Sequence, residues 1–226
     1  MTAPASRGTA TSADGIGLPV LVLGAGIRAL IVGGGGVAAR KLASLLDAGA
    51  AHVRVVAPEI GAETRATAAS RGDGRVELFE RSYEAGDIAA ANLVIAATNV
   101  RAVNALVARD AVALGRLVCV TDAAAEGTWT AMATHRAGPL VVAVASGGVP
   151  TAAARVRDAL SSRFDGRYAE ALGRLAAVRT HLLEHGEGER WREAARELTG
   201  DDFCAAVESG EIAGRLARWE ALSSWA

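Results

Sequence analysis

The chain has 226 residues, 51% of them hydrophobic and 4% aromatic, with 24 basic and 25 acidic side chains and a formal net charge of −1. This length is enough to bury a full hydrophobic core, as one large domain or two small ones. The balanced charge, without a basic run, gives no support for nucleic-acid binding, and no apolar stretch is long enough to predict a membrane span. The two cysteines, Cys119 and Cys204, are far apart in the sequence and do not indicate a disulfide framework or a cysteine metal site.

The N-terminal residues are rich in Thr, Ser, Ala and Gly and lack the apolar centre of a secretory signal. We predict a disordered tail over residues 1–17 and a cytoplasmic location for the protein.

Strands and helices alternate through the first half of the chain. Residues 18–23 form a short apolar run, which we interpret as an edge strand because Pro19 lacks the N–H that an inner strand needs. Further strands are predicted at residues 29–32, 53–57, 76–79, 93–97 and 117–121, with helices at residues 36–48, 62–69 and 100–114. This alternation predicts an α/β, Rossmann-like fold, in which a parallel sheet has helices on both faces.

The second half follows a different pattern. Residues 123–132 show no clear period, residues 139–145 predict one more strand, and Pro150 is suited to begin a helix that runs to Leu160. From Phe164 onward the pattern is helical and charged, with breaks near residues 186–188 and at Gly200. We therefore predict a small segment over residues 122–160 and a helical C-terminal domain over residues 161–226.

Four consecutive glycines connect the strand at 29–32 to the helix that follows, in the sequence ALIVGGGGVAARK. Gly33, Gly35 and Ala38 fit the G-x-G-x-x-G/A pattern of a dinucleotide-binding turn. Glycines allow backbone N–H groups to approach an anion, and the N-terminus of the following helix directs unpaired N–H groups and a positive dipole end at it. A tight turn without a ligand is the alternative interpretation.

A second glycine pattern, formed by Gly24, Gly26 and Ala29, also follows an apolar run. Only six residues separate Gly26 from the next glycine, and most of them read as a strand, so no crossover helix fits there. After the four glycines, apolar residues recur at helical spacing and another strand follows. We therefore place a complete βαβ unit, and a dinucleotide-binding domain over residues 18–121, on the second glycine cluster.

Ligands of an open parallel sheet bind beyond the carboxyl ends of its strands. The candidate cofactor-binding residues at those ends are Gly33, Gly35, Gly36, Val37, Pro58, Glu59, Thr98 and Asn99. A carboxylate at the position of Glu59 is suited to accept hydrogen bonds from an adenosine ribose, which favours NAD over the phosphorylated form. An equal alternative is that Pro58 and Glu59 only begin the following helix. Thr98 and Asn99 are suited to contact the cofactor, and capping the next helix is an equal explanation for Asn99.

Asp122 follows the last strand of the predicted sheet and is the acidic side chain that faces the same crevice. A carboxylate there is suited to take a proton while a hydride leaves to a nicotinamide. Aspartates at strand ends are more often turn formers, so the position alone does not assign a catalytic role.

Other catalytic patterns find no support. The four histidines do not form a ligand set, and His181 and His185, four residues apart on a predicted helix, are expected at the surface, so we predict no metal site. Hydrolysis and phosphoryl transfer are not indicated, because the chain has neither a nucleophile elbow nor a P-loop lysine.

Taken together, four blocks of the sequence resemble the precorrin-2 dehydrogenase/sirohydrochlorin ferrochelatase family, the module found alone or at the N-terminus of bifunctional sirohaem synthases. In order and spacing these blocks are VGGGGVAARKLASLLDAGAAHVRVVAPEI, LVIAATNVRAVNALV, LVCVTDAAAE and GPLVVAVASGGVPTAAARVRDAL. The resemblance covers residues 18–160 well and residues 164–210 more loosely.

The resemblance implies NAD-dependent oxidation of precorrin-2 to sirohydrochlorin, and in some members insertion of Fe²⁺ to give sirohaem. It implies a homodimer that shares the segment 122–160, and cofactor contacts at residues 36–37 and 58–59. The family's essential aspartate matches Asp122, and its serine before paired glycines, phosphorylated in some members, matches Ser146, for which turn formation is the alternative role. Because precorrin-2 is rich in carboxylates, Arg155 joins Ser146 and Gly147 as a candidate substrate contact.

The sequence departs from the family pattern at Gly36, where an acidic or larger residue is common, and at Ala124, where a proline is common. Two other functions stay open from the residues alone. These are a non-catalytic module that senses NAD through a Rossmann domain, and a dehydrogenase of another substrate on the same scaffold.

Overall fold

The computed structural model describes residues 17–222 of the chain. The chain separates into two compact units, Met1–Ala131 and Met132–Ala226. Among the helices of residues 17–222, none is both long and apolar enough to cross a membrane.

The first unit is built on a five-stranded sheet in the order β3-β2-β1-β4-β5, in which every neighbouring pair is parallel. The strands are β1 (Arg28–Val32), β2 (His52–Ala57), β3 (Val76–Glu80), β4 (Leu93–Ala96) and β5 (Leu117–Val120). Helices α1 (Gly36–Asp47), α2 (Ala62–Arg71) and α3 (Arg101–Ala113) follow β1, β2 and β4. The predicted Rossmann-like parallel sheet is confirmed.

Both faces of this sheet are buried at its centre, which explains why residues 29–32 of β1 and all of β4 are apolar. Successive residues of β1 point to opposite faces. Ile31 belongs to the core that includes Leu42 of α1, whereas Leu30 belongs to the core that includes Val107 of α3. The carboxyl ends of all five parallel strands therefore lie at one edge of the sheet. The segments that connect β1, β2 and β4 to the helices that follow them begin at this edge.

The prediction of an edge strand at residues 18–23 is wrong. These residues form no strand, and Leu18, Val20, Leu21 and Leu23 are largely exposed. The physical reason is topological: β1 is flanked on both sides by β2 and β4, so the chain that enters it meets no open sheet edge.

The first glycine pattern lies at the opposite edge of the sheet from the strands' carboxyl ends. Gly24–Gly26 forms a single 3-10 turn that leads directly into β1, without a crossover helix. A Cβ on Gly24 would lie 2.0 Å from the carbonyl oxygen of Ala48, just past the end of α1. This placement confirms that the βαβ unit begins at the second glycine cluster.

The second unit begins with an antiparallel hairpin of β6 (Ala133–Ala137) and β7 (Leu140–Val144). Five helices follow: α4 (Pro150–Arg163), α5 (Gly166–Glu184), α6 (Gly188–Leu198), α7 (Phe203–Ser209) and α8 (Glu211–Leu222). Pro150 occupies the first turn of α4, as predicted. The last four helices enclose a core that includes Leu182, Leu198, Leu216 and Trp219.

Strand β6 was not predicted from the sequence. Its residues, ATHRA, are small or polar and alternate between half-buried and exposed until Ala137. The strand forms because the chain turns back at Gly138, which has φ +56°, and pairs with the apolar β7. The division of this unit into a dimerisation segment and a helical domain stays a prediction.

Candidate functional site

The glycine turn after β1 is shaped by close backbone contacts that leave no room for side chains. Gly33 has φ +131°, and a Cβ on it would lie 2.3 Å from the carbonyl oxygen of Ala97. A Cβ on Gly34 would lie 2.1 Å from the carbonyl oxygen of Glu59. Glycine is required at both positions, because it allows the chains that follow β1, β2 and β4 to meet at one point.

The N-terminus of α1 presents backbone donors without partners. Among residues 17–222, the N–H groups of residues 34–38 have no hydrogen-bond acceptor. Gly35, the N-cap, provides no side-chain acceptor, and a Cβ on it would meet nothing within 4 Å. Free N–H groups at the positive end of a helix dipole, beside the open space at Gly35, are suited to bind a diphosphate.

A buried threonine holds this turn from behind. The Oγ1 of Thr64, in α2, donates a hydrogen bond to the carbonyl oxygen of Gly34 at 2.9 Å, and the N–H of Gly61 donates to the same oxygen at 3.0 Å. Thr64 is fully buried. Because the carbonyl of Gly34 is directed toward α2, the N–H of Gly35 in the same planar peptide is directed away from α2. Sequence reasoning missed Thr64, which carries no local signal for this contact.

The departure from the family pattern at Gly36 is accommodated by two long side chains. A Cβ on Gly36 would lie 3.1 Å from Oε2 of Glu63 and 3.8 Å from Nη1 of Arg40. The space that a larger residue at this position would fill is therefore lined by a carboxylate from α2 and a guanidinium from α1.

Two charged residues lie just beyond β2, near the predicted Pro58 and Glu59, which are both exposed. Arg65 of α2 donates from Nε to the carbonyl oxygen of Ile60 at 3.0 Å and from Nη2 to Oε1 of Glu80 at 2.5 Å. The hydrogen bond from Arg65 lowers the pKa of Glu80, and so does a second one that the N–H of Ile60 donates to the same Oε1 at 3.5 Å. The carboxyl ends of β2 and β3 are thus joined by an ion pair at the protein surface.

The loop after β4 is fixed by a fully buried asparagine. The Oδ1 of Asn104 accepts hydrogen bonds from the N–H of Thr98 at 3.1 Å and from its hydroxyl at 2.8 Å. Its Nδ2 donates to the carbonyl oxygen of Thr98 at 3.0 Å. The side chain of Thr98, a predicted cofactor contact, is therefore engaged in holding its own loop, and sequence reasoning missed Asn104.

The interpretation of Asn99 as a helix cap is wrong. Helix α3 begins at Arg101, and its N-cap is Val100, which has no side-chain acceptor. The N–H of Val100 instead donates to Oγ1 of Thr98 at 3.1 Å. Asn99 is exposed at the carboxyl edge of the sheet, so a role as a cofactor contact stays a prediction.

Asp122 follows β5 at the same edge and is exposed. The residue before it, Thr121, donates to the carbonyl oxygen of Ala96 from its N–H at 3.0 Å and from its hydroxyl at 3.1 Å. These two bonds hold the end of β5 against the end of β4. The residue that follows β4, Ala97, lies against Gly33. Asp122 thus shares an edge with the glycine turn, and its carboxylate is open to solvent.

The predicted substrate contacts belong to the second unit. The hydroxyl of Ser146 donates to the carbonyl oxygen of Val149, the N-cap of α4. Gly147 and Gly148 have φ +56° and +90°, so this turn needs both glycines. Arg155 is exposed on α4. Ser146 is thus a turn former in this structure, and a role in substrate binding stays a prediction for all three candidates.

Within residues 17–222, no group of three or more His, Cys, Asp or Glu side chains is arranged to hold a metal ion. The rings of His181 and His185 stack at 4.3 Å on α5, and His185 is exposed.

A family model described as putative NAD(P)-binding matches residues 20–133, half of the chain. The chain belongs to this NAD(P)-binding family. The matched range includes the glycine turn and every residue placed above at the carboxyl edge of the sheet. A nicotinamide dinucleotide cofactor, expected from the sequence, is confirmed by this finding, and the free N–H groups at α1 fit its diphosphate.

Curated relatives of this NAD(P)-binding chain include siroheme synthases. The protein of Pseudomonas putida strain W619 is 44% identical over 160 residues, which is 70% of this chain and 33% of the relative. The protein of Pseudomonas aeruginosa strain UCBPP-PA14 is 41% identical over 197 residues, 84% of this chain and 39% of the relative. The chain therefore spans little more than a third of the length of the curated relatives it matches.

Among solved structures, the chain is similar to SirC, a precorrin-2 dehydrogenase, with a TM-score of 0.70 and 25% sequence identity. The match covers 89% of this chain and 99% of SirC. The family resemblance inferred from the four sequence blocks is confirmed by these comparisons, as is the fold class. The individual roles of the predicted site residues stay predictions.

Proposed function

We propose that this chain is an NAD-dependent dehydrogenase that oxidises precorrin-2 to sirohydrochlorin. The observation that carries the proposal is the pairing, at one sheet edge, of a diphosphate-binding turn with the exposed carboxylate of Asp122. The similarity to SirC over 99% of that protein supports this substrate, because a sensor module would need only the first unit. The siroheme synthase relatives support the same pathway.

In this proposal the backbone N–H groups of residues 34–38 hold the diphosphate of the cofactor, and Thr64 keeps them directed outward. Glu59 accepts hydrogen bonds from the adenosine ribose, which favours NAD over its phosphorylated form. Bound NAD⁺ supplies a two-electron acceptor for a hydride. Asp122, directly or through a water molecule that it orients, removes the proton that the substrate loses with that hydride. The reaction balances as precorrin-2 and NAD⁺ giving sirohydrochlorin, NADH and a proton.

The test is anaerobic incubation with precorrin-2 and NAD⁺, with NADH followed by its absorbance. Replacing Asp122 by Asn should abolish NADH production and leave the Kd for NAD⁺ unchanged. Glu126→Gln is the matched control, because this nearby carboxylate is engaged in an ion pair with Arg101 and should retain turnover. Unchanged turnover by Asp122→Asn would exclude its assignment, and NAD⁺ binding without any turnover by the native protein would favour the sensor. Adding Fe²⁺ after complete oxidation tests for chelation by the appearance of the sirohaem spectrum.

We also propose that the chain is a homodimer that pairs through residues 122–160. The hairpin of β6 and β7 leaves the outer edge of each strand without a sheet partner among residues 17–222, and two-stranded hairpins are marginal alone. Of the residues in α4 only Ala153 is buried, while Val156 is 48% exposed. Val156→Glu should therefore reduce the mass measured by light scattering to that of a monomer, whereas Val112→Glu, equally exposed on α3, should not. The cytoplasmic location expected from the sequence stays a prediction.

A further inference from the structure

The ion pair of Arg65 and Glu80 lies where a Rossmann domain distinguishes its two nicotinamide dinucleotides. Glu80 is the last residue of β3 and is in register with Ala57, the last residue of β2. Arg65 bends back from α2 over this point and donates to the carbonyl oxygen of Ile60, the residue after Glu59. The guanidinium is thus held beside the segment that the proposed function assigns to the adenosine ribose.

The phosphorylated dinucleotide differs from NAD by a phosphate on that ribose. An arginine near the end of the second strand accommodates this phosphate, whereas a carboxylate there accepts hydrogen bonds from the unmodified hydroxyl. Arginine is especially suited to the task because its planar donors match phosphate oxygens in pairs. Arg65 has the chemistry and the position to bind this phosphate. Its donors, however, are directed to Glu80 and to the carbonyl oxygen of Ile60.

We propose that Glu80 sets the preference for NAD over NADP by holding Arg65 in an ion pair, so that the guanidinium is engaged and a negative charge faces the ribose. This inference rests on the proposed function for the placement of the cofactor. Arg65 and Glu80 are about half exposed, with side-chain exposures of 48% and 51%. Such a pair is readily exchanged for another partner, so a single substitution should release the arginine.

The chain contains a matched control for this substitution. Arg71, near the other end of α2, pairs with Asp47 at the end of α1, and their side chains are 43% and 50% exposed. Asp47→Asn therefore removes one charge and frees one arginine of the same helix, at the edge of the sheet opposite the proposed cofactor site.

The experiment measures Kd values for NAD⁺ and NADP⁺ by titration calorimetry on the full chain. Glu80→Gln should tighten NADP⁺ relative to NAD⁺ by about three- to fivefold, the upper part of the range expected for release of an exposed ion pair. Adding Arg65→Met to Glu80→Gln should abolish most of the gain, and Asp47→Asn should leave the ratio unchanged. The melting temperature of each variant shows whether the altered loop still folds.

Three outcomes would overturn the inference: an unchanged ratio in Glu80→Gln, a gain that persists in full without Arg65, or an equal gain in Asp47→Asn. Each of these leaves NAD⁺ binding, and with it the proposed function, intact. If the native chain bound neither dinucleotide, the proposed function itself would be wrong and the inference would be refuted together with it.

Discussion

Replacing Thr64 by valine tests the most specific structural feature of the glycine turn. Valine keeps the shape of threonine and removes only the hydroxyl that donates to Gly34. That carbonyl retains a second donor, the N–H of Gly61 at 3.0 Å, so it is left partly rather than wholly unsatisfied. The lost buried hydrogen bond should cost about 1 kcal/mol of the free energy of unfolding.

The free energy of unfolding alone does not show what the hydroxyl of Thr64 contributes, because the matched control, Thr64→Ser, is also expected to destabilise the protein. Thr64→Ser keeps the hydroxyl but removes a buried methyl group, which costs roughly 1 kcal/mol. Hydrogen exchange of the β1 and β2 amides, which reports the stability of the unit that contains them, should thus show similar losses for both variants.

The affinity for NAD⁺ separates the two variants. In Thr64→Val the Gly34 carbonyl keeps only the Gly61 N–H as a donor, so the turn is less firmly held; the cost of reordering it is then met on binding, and Kd should rise about three- to tenfold. In Thr64→Ser the donor remains and Kd should stay near the native value. Equal affinity for NAD⁺ in the two variants, measured by titration calorimetry, would refute the argument that the hydroxyl holds the turn.

Two further predictions follow from the same unit. Gly34→Ala should unfold this unit or lower its melting temperature sharply, because the new Cβ would lie 2.1 Å from a carbonyl oxygen. Gly35→Ala, with open space around its Cβ, should melt like the native protein. Equal melting temperatures of the two variants would contradict the close approach at Gly34. Asp87 is buried, and its hydrogen bonds with Arg81 lower its pKa below the ordinary value of 3.8. The ionised pair therefore stabilises the fold above about pH 4 and loses its contribution as the pH falls through the lowered pKa. Asp87→Asn should be less stable than the native protein at pH 7 by about 1–3 kcal/mol, and urea unfolding near pH 2 should show this difference shrinking; a constant difference would refute the assignment.

The parts of the fold that the sequence predicts are those with a local cause. Strands buried on both faces, such as β1 and β4, are apolar almost throughout, and the turns between strands need glycine or polar residues, so β1 to β5 and α1 to α3 could be located within two residues. The rejection of the first glycine pattern had an equally simple cause, since six residues cannot hold a crossover helix. Residues 18–23 show the limit, because an apolar run forms a strand only where a sheet edge is open to it.

The contacts that hold the site together were not predictable, because each depends on how the chain folds back on itself and not on a local sequence pattern. Thr64 is 30 residues from Gly34, and nothing in the sequence of α2 distinguishes it from Thr67, whose hydroxyl bonds within its own helix. Asn104 lies within α3 at a position that reads as an ordinary helical residue. Its buried side chain reveals its role only when the loop after β4 is seen to fold back over it.

The proposed cofactor site binds through the backbone, and this limits what single substitutions can do. The donors at residues 34–38 are N–H groups that no change of side chain removes, short of proline. Substitutions act instead by displacing the turn, as at Gly34, or by releasing it from behind, as at Thr64. The charged residues around the turn have a different proposed role: we propose that Glu59, Glu80 and Arg65 determine which dinucleotide is accepted. Affinity and selectivity should therefore respond to separate sets of residues, and Thr64→Val should weaken NAD⁺ and NADP⁺ binding by the same factor.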